Sequence, residues 1–364
     1  MKSDSPANSE IMESGEKLRR PKFPPDPVAM HTRDSIAALP PEVRRLAQKR
    51  VQPAWISPML ATLVAEAFSD EDWVFESKLD GERCLVVLNR NRAQLLSRNQ
   101  LELNHTYPEL VEPLSAQPVR SYIVDGEIVA FKDGVTSFSQ LQRRMGVQDP
   151  EEALRRGVEV FYYIFDLLYL SGYDLRSIPL IYRKDLLKRN FIFRDPIRFS
   201  EHRKRDGEVL FKEACQNGLE GLIAKRASSA YVAGRSRDWL KFKCFAEQEF
   251  VIIGYTDPKG ERAGFGALLV GYYEGDRLAY AGKVGTGFDT ETLTRLGREL
   301  SQLQVERPPI AGEAYGKGVH WVRPKLVVQV AFTEWTRDGK LRHPRFIGIR
   351  RDKAPRQVVR ERPK

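Results

Sequence analysis

The sequence predicts an α+β domain followed by a smaller, mostly β domain, and three observations carry that prediction. Its 364 residues suit two domains at about 100–200 residues each. Between Trp73 and Phe242, apolar β-rich segments and helical stretches mix without strict alternation, which argues for α+β rather than a doubly wound parallel sheet. After Cys244 the pattern turns to short strands with a single helix.

The elements follow in order. Residues 1–50, rich in Ser, Pro and Asn at their start (Ser3, Ser5, Pro6, Asn8, then Pro21, Pro24, Pro25, Pro27), read as a flexible arm. Within it, Ser35–Lys49 is a candidate helix, since Leu39, Val43 and Leu46 recur at helical spacing. Residues 51–245 form the first domain. Its predicted strands are Val74–Ser77, Cys84–Leu88, Gln94–Ser97, Tyr122–Val124, Glu127–Phe131, Phe161–Leu168, Leu222–Lys225 and Leu240–Phe242. Its predicted helices are Ser137–Met145, Pro179–Lys188 (proline at a helix start) and Gly207–Asn217. In residues 246–353 the strands are Glu249–Tyr255, Gly266–Tyr273, Leu278–Val284 and Lys325–Trp335, with a hairpin turn at Glu274-Gly275-Asp276-Arg277 and a helix at Thr290–Leu303. That pattern is a small Greek-key β-barrel of the oligonucleotide-binding type. Residues 354–364 form a basic tail.

Charge narrows the function. Fifty-nine Lys and Arg against 49 Asp and Glu give +10. From Arg337 to Lys364 there are eleven basic and three acidic residues, a net of +8, leaving +2 for the other 336. A basic end on a nearly neutral body points to a polyanionic partner, with simple solvation of the tail as the alternative. No apolar run approaches the ~18 residues that cross a bilayer, and the polar N-terminus has no signal-type apolar stretch. Three cysteines (Cys84, Cys215, Cys244) without C-x-x-C spacing, and five histidines without H-E-x-x-H pairing, lead us to expect a reducing, cytosolic setting and no structural metal.

The sharpest local signal is Lys78-Leu79-Asp80-Gly81-Glu82-Arg83. An amine follows a short strand, Gly81 permits close backbone approach, and Arg83 can pair with an anion. An amine is nucleophilic only when neutral, so the Lys78 pKa is expected to be lowered by neighbouring cations. Lys241 and Lys243, two apart on one strand face, supply them; alone they also suit an edge strand that blocks aggregation. Glu127, in Asp125-Gly126-Glu127, and Glu220, in Glu220-Gly221, are hard oxygen donors for Mg²⁺. Read alone, Asp125-Gly126 is a hairpin turn followed by a surface Glu, and Glu220 a solvated strand end. Phe165 suits base stacking as well as a core position.

Taken together, the series resembles the covalent nucleotidyltransferase superfamily, which comprises ATP-dependent polynucleotide ligases and mRNA-capping guanylyltransferases. Its motifs follow in order: Lys78-x-Asp80-Gly81-x-Arg83, Ser97-Arg98-Asn99, Asp125-Gly126-Glu127, Phe165-Asp166-Leu167-Leu168-Tyr169-Leu170, Glu220-Gly221, Lys241-Phe242-Lys243 and Arg350-x-Asp352-Lys353. Glu76-x-Lys78, the Phe165–Leu170 segment and Phe138…Leu141-Gln142 resemble ATP-dependent DNA ligases, and within them the compact ligase modules of bacterial end-joining ligases. The resemblance implies an adenylation domain of the nucleotidyltransferase (ATP-grasp-like) fold followed by an OB-fold domain. It implies an enzyme in which Lys78 takes AMP from ATP, passes it to a 5′-phosphate at a DNA nick, and lets the 3′-OH displace it. By the same resemblance Glu76 reads the adenine edge, Phe165 stacks on it, and Arg83 and Glu127 hold the ribose. Arg98 holds the nick phosphate, and Lys241 and Lys243 the α-phosphate. Glu127 and Glu220 position Mg²⁺ or Mn²⁺, and Arg350, Asp352 and Lys353 close over pyrophosphate as the barrel domain swings. The implied partners are nicked duplex DNA and a Ku-like end-binding protein, with the chain a monomer in the bacterial cytoplasm near the nucleoid. Grip on DNA is then expected from the two core domains and the basic ends. The alternative is an RNA ligase or capping-type enzyme using the same lysine.

Overall fold

The computed structural model describes residues 32–89, 92–244, 246–258, 260, 263–310 and 318–361, so most of the predicted arm lies outside the described residues. Two short helices, α1 (Thr32–Ala37) and α2 (Pro41–Arg44), precede strands β1 (Met59–Leu63), β2 (Trp73–Ser77), β3 (Glu82–Asn89) and β4 (Arg92–Ser97). Then come α3 (Pro108–Ser115), β5 (Ser121–Val129), the one-turn α4 (Phe138–Leu141), β6 (Phe161–Leu170), α5 (Leu180–Asn190), α6 (Gly207–Gln216), β7 (Gly221–Arg226) and β8 (Gly234–Lys243).

These strands make two sheets. The first runs β6-β5-β3-β4, with Gln48–Lys49, Tyr173–Asp174 and Ile197–Phe199 added beyond β6. The second runs Arg203–Lys204, β2, β7, β8, β1, and only its β8–β1 pair is parallel. Alternation along β3 and β5 explains the layering. Cys84, Val86, Leu88, Tyr122 and Val124 face a core that includes Leu110 and Leu114 of α3 and Leu186 and Leu187 of α5. Leu85, Val87 and Ile123 face the other way, onto Met59 and Trp239 of the second sheet. Both faces of the first sheet are covered, which is why its strands read as almost continuous apolar runs.

Three local expectations are corrected. The helix predicted over Ser35–Lys49 is broken at Pro40-Pro41, because a proline has no N–H for the helical ladder and drives the preceding residue extended. Ile36, Leu39 and Val43 nevertheless pack into the core, so the chain from residue 35 packs on the fold rather than forming an arm. Asp125-Gly126 is not a turn: β5 runs straight through it. Helix Ser137–Met145 shrinks to α4 followed by turns.

The C-terminal sheet holds β9 (Ala246–Thr256), β10 (Leu268–Glu274), β11 (Arg277–Val284), then after α7 (Thr290–Ser301) the strands β12 (Val319–Val322), β13 (Val327–Phe332) and β14 (Arg345–Ile349). β9 pairs with β10 on one edge and with β13 and β12 in succession on the other, while β14 adds to β13. The barrel expected here is not closed: β14 meets the end of the β11 limb through a single bridge, Thr286 to Arg345. The sheet has its own core, including Phe250, Val270, Leu296, Val328 and Ile349. Beyond β14 the described part of the tail, to residue 361, docks on the domain, with Val358 fully buried and its carbonyl accepting from Tyr273 N at 2.7 Å.

Two of the three cysteines pair, which their spacing did not suggest. Cys215, near the end of α6, and Cys244, just past β8, form a disulfide with Cα atoms 5.2 Å apart, while Cys84 is free and buried. An odd count hides a pair that only the topology brings together. Among the described residues no helix is long and apolar enough to cross a membrane.

Candidate active site

The second sheet ends in the residues that matter most. Lys78 leaves β2 with its backbone N–H donating to the Gly221 carbonyl at 2.9 Å. That contact brings the start of β7, and Glu220 before it, against the lysine, and the Lys78 Nζ and Glu220 carboxylate form an ion pair. Two glycines make the arrangement possible. Gly221 has φ +146°, and a Cβ there would lie 1.9 Å from the Phe242 carbonyl oxygen of β8. A Cβ on Gly81 would lie 2.2 Å from the Ile128 carbonyl of β5. Gly81 therefore serves the approach of two strands, and it also lines the smaller cavity beside Lys78.

Register fixes the rest. In the second sheet Glu76 lies opposite Ile223, and Ile223 opposite Lys241. In the first, Arg83 lies opposite Glu127, with Asp125 two residues along the same face. Arg83 forks onto Asp125 at 2.5 Å, and Tyr231 donates to the same carboxylate. One wall is aromatic: Phe165 packs edge-on against Trp239 with centroids 6.0 Å apart. Arg83 stands 4.6 Å from the Phe165 ring, and Lys225 stands 4.2 Å from it. The Glu76 carboxylate is engaged by Lys184 at 2.8 Å, Lys225 at 2.9 Å and Ser200 at 3.0 Å. Burial opposes its charge, but the two lysines pull its pKa down to about 2.

The C-terminal domain closes the other side. Arg350 grips Asp352 at 2.7 and 2.9 Å and lies 4.6 Å over the Phe138 ring of the first domain. Asn99 donates to the Asp352 carbonyl, and Lys353 pairs with Glu249 at 2.9 Å. Lys241 pairs with Glu361 at 2.7 Å, and Lys243 lies 3.6 Å from the same carboxylate. The structure thus gathers Glu76, Lys78, Arg83, Arg98, Glu127, Phe165, Lys241, Arg350, Asp352 and Lys353 around one cavity of about 190 Å³. Glu220 and Lys243 line an adjoining one of about 110 Å³, which shares Lys78.

The electrostatics differ from the expectation at Lys78. Burial favours the neutral amine, but Glu220 beside it, with Asp80 and Glu127 further off, holds its pKa above the ordinary lysine value. Lys241 and Lys243 do not discharge it; their own charge is turned on Glu361. Burial and the neighbouring Lys243 instead push Lys241 itself down to about 8. Burial and Glu220 push Asp80 up to about 7, and burial pushes Glu127 to about 7 as well. These are half-buried carboxylates whose charge costs desolvation, a cost that a divalent cation would offset. Among the described residues no three acidic, histidine or cysteine groups stand together as a metal site, so oxygens from a ligand would have to complete one.

Several participants escaped the sequence reading. Lys225 was readable as a lysine in phase with Ile223 on an apolar strand. Asp125 was masked by the turn-like Asp-Gly pair. Glu249 and Glu361 carry no local signal, because only the docking of the second domain brings them to the first.

A half-buried strand-end lysine paired to a carboxylate, an aromatic wall on one side and cations from two domains on the other are the arrangement expected from the resemblance to covalent nucleotidyltransferases. Residues 58–243 match the ATP dependent DNA ligase domain, and residues 261–353 match the ATP dependent DNA ligase C terminal region. The chain belongs to the ATP-dependent DNA ligase family. It is 40% identical over 336 residues to the multifunctional non-homologous end joining protein LigD of Pseudomonas aeruginosa, covering 90% of this chain and 39% of that protein. It is 36% identical over 315 residues to the corresponding DNA repair protein LigD of Mycobacterium tuberculosis, covering 84% of this chain and 40% of that protein. The chain therefore spans about two-fifths of these curated relatives. A solved mycobacterial DNA ligase D, complexed with ATP and MES, is similar at a TM-score of 0.61 and 34% identity, covering 84% of this chain and 98% of that one.

Proposed function

We propose that this chain seals 5′-phosphate/3′-OH nicks in duplex DNA, in end-joining repair, through a lysyl–AMP intermediate. The observation that carries the proposal is Lys78 paired with Glu220 at the junction of two cavities, with Lys241, Arg350 and Lys353 lining the walls from both domains. In the first step the Lys78 nitrogen attacks the α-phosphorus of ATP; an N–P bond forms, the bond to pyrophosphate breaks, and pyrophosphate leaves with the electron pair. The amine must first lose a proton, and Glu220 is the carboxylate in contact with it. The AMP then passes to the DNA 5′-phosphate, breaking the N–P bond, and the 3′-OH oxygen displaces AMP as the phosphodiester forms.

Phosphoryl transfer asks the protein chiefly for positioning and charge neutralisation. Phe165 and Trp239 offer the base an apolar wall, with Arg83 and Glu127 at the ribose. Arg98, Lys241 and Lys243 serve the phosphates of nucleotide and nick, and Arg350 and Lys353 the leaving pyrophosphate, with Asp352 orienting Arg350. Glu76, whose carboxylate is engaged, fixes the wall that the adenine edge meets. Glu127 and Glu220 would hold Mg²⁺, which when bound neutralises phosphate charge. The end-joining role accords with the relatives' names, and a Ku-like recruiter and a cytoplasmic, nucleoid-associated monomer complete the proposal. The RNA-ligase or capping alternative draws no support from a chain whose two domains match DNA ligases.

Intact-mass spectrometry tests the chemistry. Incubation with ATP should add one AMP, GTP should add nothing, and pyrophosphate should remove the adduct. Lys78→Ala should show no adduct yet still seal a pre-adenylated nick; an adduct surviving in that variant would remove Lys78 from the reaction.

A further inference from the structure

We propose that Glu361 is a built-in anion that holds the α-phosphate position until a nucleotide displaces it, so that release of the C-terminal tail and loading of the site are linked. The identity of the displaced group rests on the ligase reading above. The observation is a carboxylate from the chain's own tail seated on the lysine pair, 2.7 Å from Lys241 and 3.6 Å from Lys243. These are the two cations assigned to the α-phosphate.

The contact is built, not incidental. Gln248 of β9 accepts from the Glu361 N–H at 2.9 Å and donates to the Val359 carbonyl at 3.2 Å. Val358 is fully buried against the C-terminal core, and Arg360 lies 4.1 Å over the Trp335 ring. The tail is thus anchored on the second domain while its acid reaches a strand of the first. Two ammonium groups at adjacent positions of one strand face repel unless an anion lies between them, and Glu361 is that anion here. Position points the same way. Glu361 stands in the wall of the cavity that Lys78 and Lys241 also line, where a phosphate reaching the lysine pair would meet it. Nucleotide entry therefore asks the tail to move, and the apparent affinity is reduced by the fraction of molecules with the tail engaged.

A purely structural latch makes the opposite forecast. If Glu361 served only to hold the domains closed, removing its charge would weaken nucleotide binding. The test uses the full chain as wild type, Glu361→Gln and Glu361→Asp, with α,β-methylene-ATP as the calorimetric probe and the AMP adduct by mass as a separate readout. The expected result is about tenfold tighter probe binding by Glu361→Gln, as for a tail engaged in about nine molecules of ten, with Glu361→Asp near wild type. Equal or weaker binding by Glu361→Gln overturns the proposal, as does equal tightening by Glu361→Asp. Failure of every form to accept AMP while the probe still binds would overturn the ligase reading alone, since the tail's effect is read from binding. Failure of the probe to bind any form would overturn both.

Discussion

Glu76, Lys184 and Lys225 show how the pocket is held rigid before any ligand arrives. The three charged groups are 3%, 1% and 2% exposed, and an ion pair that deep is costly to leave half made. Removing one member strands the others, whose charge then lies in low dielectric with no partner. Glu76→Gln should therefore lower unfolding free energy by about 3–5 kcal/mol, the range for breaking a buried pair, as read from urea midpoints. A loss below about 1 kcal/mol, the worth of an exposed pair, would show that the cluster is hydrated. The linkage has a definite sign. The Glu76 pKa falls from 4.5 to about 2 on folding, so its contribution is complete above the unfolded value and is lost as pH drops through about 2. The same residue shows where residue-level reading runs out. Its place two before Lys78 on the strand was legible; its engagement by lysines from α5 and β7 was not, because no local pattern ties positions more than a hundred residues apart.

At the scale of elements, Gly81 was legible as special from its motif, while the strand contact it serves was not. Gly81 and Gly221 both stand where another backbone passes too close for a Cβ. That crowding comes from strand pairing, which the local sequence around either glycine does not show. Strand positions were largely legible because alternation and burial agree there; the helix over Ser35–Lys49 was not, because helical spacing was weighed without the Pro40-Pro41 break. Gly221 offers the cleanest test. An alanine there meets a φ of +146° and a carbonyl oxygen 1.9 Å away, so β7 must part from β8 or twist. Gly221→Ala should cost roughly 2–4 kcal/mol, the range of backbone incompatibility combined with overpacking, and should displace Glu220 from Lys78. Loss of AMP adduct together with a lowered melting temperature is the expected pair of results; a variant that melts like wild type would mean that the strand end yields freely.

At the scale of the whole molecule, both domains line the two cavities around Lys78. Arg350, Asp352 and Lys353 belong to one domain, and Lys78, Glu220 and Lys241 to the other. Sequence order reveals that both sets are present, but it does not reveal the interface, which depends on which surfaces meet. The structure locates that meeting at Gly348 of β14, where a Cβ would lie 2.6 Å from the Gln142 side-chain oxygen and 2.8 Å from the Phe138 ring. Arg350, two residues on, rests over the same ring. Gly348→Val would wedge this contact open by pressing on Phe138, at the edge of the first domain's core. Overpacking of about 1–3 kcal/mol, to the extent that it falls on the closed state, corresponds to a roughly five- to 150-fold slower AMP transfer to Lys78. Sealing of a pre-adenylated nick does not require pyrophosphate to be gripped, so it should change by less than about threefold, well under 1 kcal/mol. Single-turnover rates for the two steps, measured on the same preparation, decide the matter. Equal losses in both would mean that Gly348 supports the fold of its own domain, and unchanged rates would mean that the closed arrangement is not the one in which Lys78 takes its nucleotide.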